Sequence, residues 1–276
     1  MSNNKKFVLV LWDFTEASNN ALLHAIQLAK VAGNELLLLN VIPSDSLFKN
    51  KELIEQKVDD ALSRLNAISK DIEKNHDVNP YIIVREGSIS KIVKDVTVEN
   101  RVNLILAGTN VTWNKKPIES IELLMRSLKN VSIPFIVTNF SPAHSHYIEI
   151  VVPLDYDKKY KETLHWMIYL SKLYKCNINL IKPYLTDEGK KKNMANNIFF
   201  TKKMLDANNI VYGIKTAKKK NSFNDEIFKF ANDIEADLIL IMADKYKKYV
   251  EHDVEGADRV PIMCVNPRTR KFQSFG

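Results

Sequence analysis

The sequence predicts an α/β protein made of two tandem copies of one domain, each a five-stranded parallel sheet between helices. Three observations carry this. Short apolar, β-branched runs alternate with longer segments of helical period. The same series of elements starts again after a polar stretch near residue 144. Finally, the 276-residue length suits two domains of about 140 residues, each able to bury roughly two-thirds of its unfolded surface.

The elements follow in order. Residues 7–12, FVLVLW, read as a buried strand, and residues 16–31 place Ala17, Ala21, Leu22, Ala25, Ile26, Leu28 and Ala29 on one helical face that Gly33 terminates. Residues 36–41 form a second strand, closed by the polar break Pro43-Ser44-Asp45. A long amphipathic helix over 51–75 presents Leu53, Ile54, Val58, Leu62, Leu65 and Ile68. Strands are expected at 81–84, 104–107 and 135–138, with helices over 90–99 and 117–129 between them. Near-continuous apolar strands of this kind belong to parallel sheets covered on both faces.

The repeat is then legible by eye. "YIEIVVPLDYDKKYKETLHWMIYLSKLYKCNINLI" from Tyr147 keeps the order of "KKFVLVLWDFTEASNNALLHAIQLAKVAGNELLLL" from Lys5: strand, Asp, helix, strand. "NLILAG" at Asn103 answers to "DLILIM" at Asp237, and "IPFIVTN" at Ile133 to "VPIMCVN" at Val260. The expected organisation is a first domain over 1–141, a more divergent second over 146–267, and a tail over 268–276 carrying Arg268, Arg270 and Lys271.

Composition narrows the function classes. Hydrophobic residues make up 45% and charged residues 26%, as in soluble globular chains. No apolar run reaches the roughly 18–20 residues of a membrane span, and the N-terminus lacks a signal-peptide apolar core, so the expected location is cytoplasmic, with no membrane partner. Cys176 and Cys264 have no C-x-x-C or Cys/His spacing and read as buried packing residues. A net charge of +7, with runs at 190–192 and 218–220, reads first as a solvated lysine-rich surface. Without a helix-turn-helix, zinc-finger or aromatic RNA-binding signature, a nucleic-acid partner takes last place.

The order strand, Asp, helix, strand, long helix, strand, Gly-Ser, helix resembles the universal stress protein family, here as a tandem pair. "DFTEASNNALLHAIQLA" after the first strand, "VREGSISKIVKDV" around Gly87, "NLILAGT" and "VSIPFIVTN" carry the resemblance. It spans nearly the whole chain and is looser in the second half. It implies a flavodoxin-like (adenine nucleotide alpha hydrolase-like) fold with strand order 3-2-1-4-5. It also implies two halves packed as an intramolecular pseudo-dimer, a further homodimer of whole chains, and a small-molecule or adenine-nucleotide ligand. Ligands of such sheets lie beyond the carboxyl ends of the strands at the switch point, between strands one and four. The family's nucleotide-binding members use the Asp after strand one and backbone groups at the end of strand two around adenosine, here Asp13 and Val41. Their phosphates sit in a loop after strand four of the form G-x-x-G, nine residues, then Gly followed by Ser or Thr; here that loop opens at Gly108-Thr109.

The chain departs from this pattern at the loop. The two loop positions expected to be glycine fall on about Val111 and Asn114, and after Gly108 no glycine recurs until Gly189. In the second half Gly256 lies too close to Pro261 to serve. A β-carbon at such positions crowds an anion that backbone N–H groups should cradle.

Each remaining candidate has two readings. Asp13, with Glu16 three residues on, reads as a helix N-cap and capping-box partner as well as an adenosine contact, and Asp155 is its counterpart. Val41 is equally a core strand residue, and Gly108-Thr109 equally a sharp turn out of the strand. Lys115 and Lys116, with Asn114 and Ser120 nearby, would offer charge and hydroxyl in place of the missing glycines, or are simply solvated. His24 and His165 fall at matching places in the first helix of each half and read as packing residues. His144-x-His146 lacks a third ligand for a metal site and reads as polar linker. No G-x-S-x-G, Walker A or H-E-x-x-H pattern is present, so no catalytic residue and no metal are assigned. The expected protein is a stress-response binding or signalling module, not an enzyme, with weak or absent ATP binding. Asp13, Val41, Gly108 and Thr109 line the remnant of the pocket. The alternatives are an ATP-binding stress protein with a non-glycine phosphate loop and a basic nucleic-acid-associated protein.

Overall fold

A computed structural model describes residues 5–43, 51–108, 128, 131, 133–250 and 260–266. The chain divides into two compact units, Met1–Ser141 and Pro142–Gly276.

The first unit runs β1 (Phe7–Leu11), α1 (Glu16–Ala32), β2 (Glu35–Ile42), α2 (Lys51–His76), β3 (Tyr81–Glu86), α3 (Ile89–Glu99), β4 (Val102–Gly108) and β5 (Phe135–Thr138). Its strands are all parallel, in the order β3-β2-β1-β4-β5. This is the flavodoxin-like arrangement the resemblance implied. Leu36, Leu37, Leu38 and Leu39 are buried in succession, so β2 is covered on both faces, as its unbroken apolar run requires. Helix α1 lays Ala17, Ala21 and Ala25 against β1 and β4, where small side chains allow close approach. It ends at Gly33, whose φ of 64° lets its N–H return to the carbonyls of Ala29 and Lys30. The helix expected over 117–129 lies outside the described residues except for Leu128.

The second unit repeats the plan with β6 (Glu149–Pro153), a 3-10 turn (Lys158–Lys161), α4 (Glu162–Tyr174), β7 (Asn177–Lys182) and α5 (Glu188–Asp206). Then come β8 (Tyr212–Thr216), α6 (Phe223–Asp233), β9 (Leu238–Met242), a second 3-10 turn (Ala243–Lys245), α7 (Tyr246–Val250) and β10 (Ile262–Val265). The order β8-β7-β6-β9-β10 is again parallel throughout.

The two first helices do not start in the same register. Helix α1 begins three residues after Asp13, whereas α4 begins seven after Asp155, because Asp157 first caps the intervening 3-10 turn by accepting from the Lys159 N–H at 3.0 Å. The shift separates the histidines that looked equivalent. His24 is buried with its Nε2 3.0 Å from the Phe140 carbonyl, while His165 is exposed.

At the entry to the second unit, the His144 Nδ1 lies 2.7 Å from the Asp237 carboxylate. The other Asp237 oxygen accepts from the N–H groups of Ile148 and Glu149 at 2.6 and 3.0 Å. His144 thus ties the polar stretch to the start of β6, and His146 contacts only Ser145 Oγ among its described hydrogen bonds. Among the described residues no group of three or more His, Cys, Asp or Glu is placed to hold a metal. Cys176 and Cys264 are free and buried, and burial pushes the Cys176 thiol up to about 12.

Candidate functional site

The carboxyl ends of β1, β2 and β4 meet at the switch point of the first unit. Trp12 continues β1 by one bond, its N–H donating to the Leu39 carbonyl at 2.8 Å, and buried Asn40 donates from Nδ2 to the Trp12 carbonyl at 2.8 Å. The chain then turns through Phe14 at φ 64°, a left-handed conformation that a bulky aromatic rarely adopts and that costs about 1–3 kcal/mol. Contacts hold it there. The Phe14 ring meets Trp12 edge-on at 6.4 Å, and the Arg64 guanidinium of α2 sits 3.8 Å over its face.

This turn exposes Asp13. Its Oδ1 accepts from both the N–H (3.1 Å) and Oγ1 (2.5 Å) of Thr15, while Oδ2 has no partner among the described residues. Thr15, not Asp13, caps α1, accepting from the Ser18 N–H at 3.2 Å. The capping box read from Asp13 and Glu16 is therefore replaced by an Asp13-Thr15 turn followed by a Thr15 cap, because Phe14 lies outside helical φ and places the first helical residue at Glu16. Val41 sits near the end of β2, half-buried and in register with Arg85 of β3.

Gly108 ends β4 directly beneath the first turn of α1. A β-carbon there would fall 2.1 Å from the Ala17 carbonyl carbon and 2.4 Å from the Ser18 nitrogen, both backbone atoms. Close approach of helix to strand is reason enough for glycine at this position. Thr109, together with Val111, Asn114, Lys115, Lys116 and Ser120, lies outside the described residues, as does Gly256.

The second unit places its aspartate in a related turn, without a left-handed aromatic, and closes it. Leu154 N–H donates to the Ile181 carbonyl at 2.8 Å, and Asp155 Oδ1 accepts from the Asp157 N–H at 3.0 Å, matching the Trp12 and Asp13 contacts. A cation again covers the next aromatic, with Lys190 of α5 5.3 Å from the Tyr156 ring centroid. Here, however, the free oxygen is taken. Asp155 Oδ2 pairs with Lys245 Nζ at 3.2 Å, leaving the Asp155 side chain 12% exposed. Lys245 follows β9, where the first unit has Gly108 and the loop beyond it. Burial pulls the Lys245 ammonium down, but Asp155, together with Asp244 and Asp157, more than offsets this and leaves it above its ordinary value. Asn197 of α5 donates to the carbonyls of both Asp155 (2.8 Å) and Asp157 (3.1 Å), and Tyr246 and Tyr249 are buried behind Lys245. Sequence reasoning found both aspartates. It missed Asn40, Arg64, Asn197 and Lys245, for which the only available signal was the first Lys in "MADKYKK", three residues past the position that answers to Gly108.

Residues 5–118 match the Universal stress protein family. The first unit is a universal stress protein domain. The fold of the whole chain is also that of a universal stress protein from Archaeoglobus fulgidus DSM 4304, at TM-score 0.74 and 15% identity over 94% of this chain and 96% of that one. A functionally unknown protein of Pseudomonas aeruginosa PAO1 aligns at TM-score 0.62 and 14% identity, over 96% and 94% of the two chains. No curated protein matches the sequence. In this chain the switch point offers an exposed carboxylate in the first unit and an ion-paired one in the second. No helix among the described residues is long and apolar enough to cross a membrane.

Proposed function

We propose that this chain is a cytoplasmic stress-response binding and signalling protein whose ligand site lies in the first unit and recognises the nucleoside end of an adenine nucleotide, with the phosphates contributing little. ATP binding is then weak or absent, and the role is binding rather than catalysis. One observation carries this reading: Asp13 is exposed with an oxygen uncommitted among the described residues, while its counterpart Asp155 is ion-paired to Lys245. A carboxylate of that kind accepts hydrogen bonds from a vicinal diol such as a ribose. The sequence supports the second half of the proposal, since no glycine occurs between Gly108 and Gly189 to let backbone N–H groups approach a phosphate. His24, the buried imidazole nearest this reading in sequence, is turned to the Phe140 carbonyl and is poorly placed for general-base work.

The test compares two single variants of the full chain. In ligand-observed NMR with adenosine, Asp13→Ala abolishes saturation transfer and Asp155→Ala leaves it unchanged. Equal loss in both, or full transfer to the Asp13 variant, overturns the assignment.

A further inference from the structure

The lysine runs that looked scattered in the sequence converge on one end of the second unit. Residues 182–192 and 218–220 hold seven lysines against two acids. Both acids are occupied: Asp187 caps α5 through the Lys190 N–H at 2.7 Å, and Glu188 pairs with Lys191 at 2.7 Å. The Ala217 N–H donates to the Lys182 carbonyl at 2.9 Å, which joins the carboxyl ends of β7 and β8. The run 218–220 leaves β8 there, and the run 190–192 starts α5 at the same end.

Two tyrosines are set among these cations. Tyr184 is 50% exposed with Lys219 Nζ 5.6 Å from its ring centroid, and Tyr156 lies under Lys190. The lysine turn is also held in place. Glu226 of α6, 3% exposed, accepts from the Lys218 N–H at 3.1 Å and from Asn221 Nδ2. Three consecutive like charges repel one another, yet a buried carboxylate fixes the backbone that presents them.

We infer that this rim of Lys190, Lys218, Lys219 and Lys220 around Tyr156 and Tyr184 binds single-stranded nucleic acid. Lysines pair with successive phosphates, and tyrosine faces accept bases by stacking, which is tolerant of sequence and needs no groove-reading motif. A bilayer surface fits less well, because among the described residues the exposed large aliphatic and phenylalanine side chains of α5 and β8 lie away from the lysine turn. The exposed Phe199 lies midway along α5 and the exposed Val211 precedes β8, at the opposite end of that strand. The inference does not depend on the ligand proposed for the first unit.

Fluorescence anisotropy of a labelled 20-nucleotide oligothymidylate with the full chain tests it across a salt series. Binding is expected at low salt and falls as salt rises. The triple variant Lys218→Ala, Lys219→Ala, Lys220→Ala weakens it about tenfold or more and lowers the salt slope by about 2. Tyr184→Ala weakens it further, and Tyr184→Phe keeps wild-type affinity. The charge-matched control Lys70→Ala, Lys74→Ala, Lys94→Ala in the first unit changes affinity less than about twofold. The inference is overturned by no binding at low salt, by equal loss in the control triple, or by binding to vesicles with about 30% anionic lipid in preference to the oligonucleotide.

Discussion

At the residue scale, three side chains define what the switch point of the first unit can do. Gly108 is fixed by geometry, since any β-carbon meets backbone atoms of α1 that cannot rotate away. Gly108→Ala therefore costs about 3 kcal/mol or more, in the upper range for overpacking, read as a lowered urea midpoint with an unchanged slope. Thr15 caps α1, and Thr15→Ala costs about 1 kcal/mol by the same measurement. In sequence the cap reads at Asp13, although Thr15, two residues on, is also a good cap type. The left-handed Phe14 between them decides it, and a phenylalanine gives no warning of that conformation. In the second unit His144 carries a pH dependence. Its contact with Asp237 raises the imidazole above its ordinary value; Glu235, Tyr147, Cys176 and Glu149 are further titratable groups near this pair. A raised folded-state value stabilises the fold below the unfolded value of about 6.5 and is lost as pH climbs through the folded one. The stability gap between wild type and His144→Asn, from thermal unfolding, is thus widest below about pH 6.5 and narrows with rising pH.

At the element scale, helices α1 and α4 show how far the repeat holds. Both follow a strand with an Asp two residues past its end, and in both the Asp folds back on the residue two further on. The apolar periods fixed these elements to within a few residues. They did not reveal the extra 3-10 turn before α4, because "DYDKKYKETL" has the same helical composition from start to finish and only the Asp157 cap interrupts it. Long-range polar contacts were also beyond a reading of periods. Asn197 lies forty residues or so from the two carbonyls it binds, on a helix whose pattern marks it merely as inward-facing. Asn197→Ala leaves two acceptors without that donor and is expected to cost about 1–3 kcal/mol in denaturant unfolding.

At the scale of the whole molecule, the succession of elements was legible because most strands are nearly unbroken apolar runs and the two halves repeat, whereas the strand order came from the family resemblance. What the halves do with that plan was not. "LVLWDFTEAS" and "IVVPLDYDKK" look alike as strand-to-helix turns, and the difference between an open Asp13 and a closed Asp155 rests on Lys245, ninety residues along the chain. The proposed function follows from that difference together with the missing loop glycines. Calorimetric titration of the full chain with adenosine and with magnesium ATP tests it most directly. The account predicts that ATP binds no more than about threefold tighter than adenosine, a difference below about 0.7 kcal/mol, with neither ligand tight. Magnesium-dependent ATP binding about a hundredfold tighter than adenosine would contradict it.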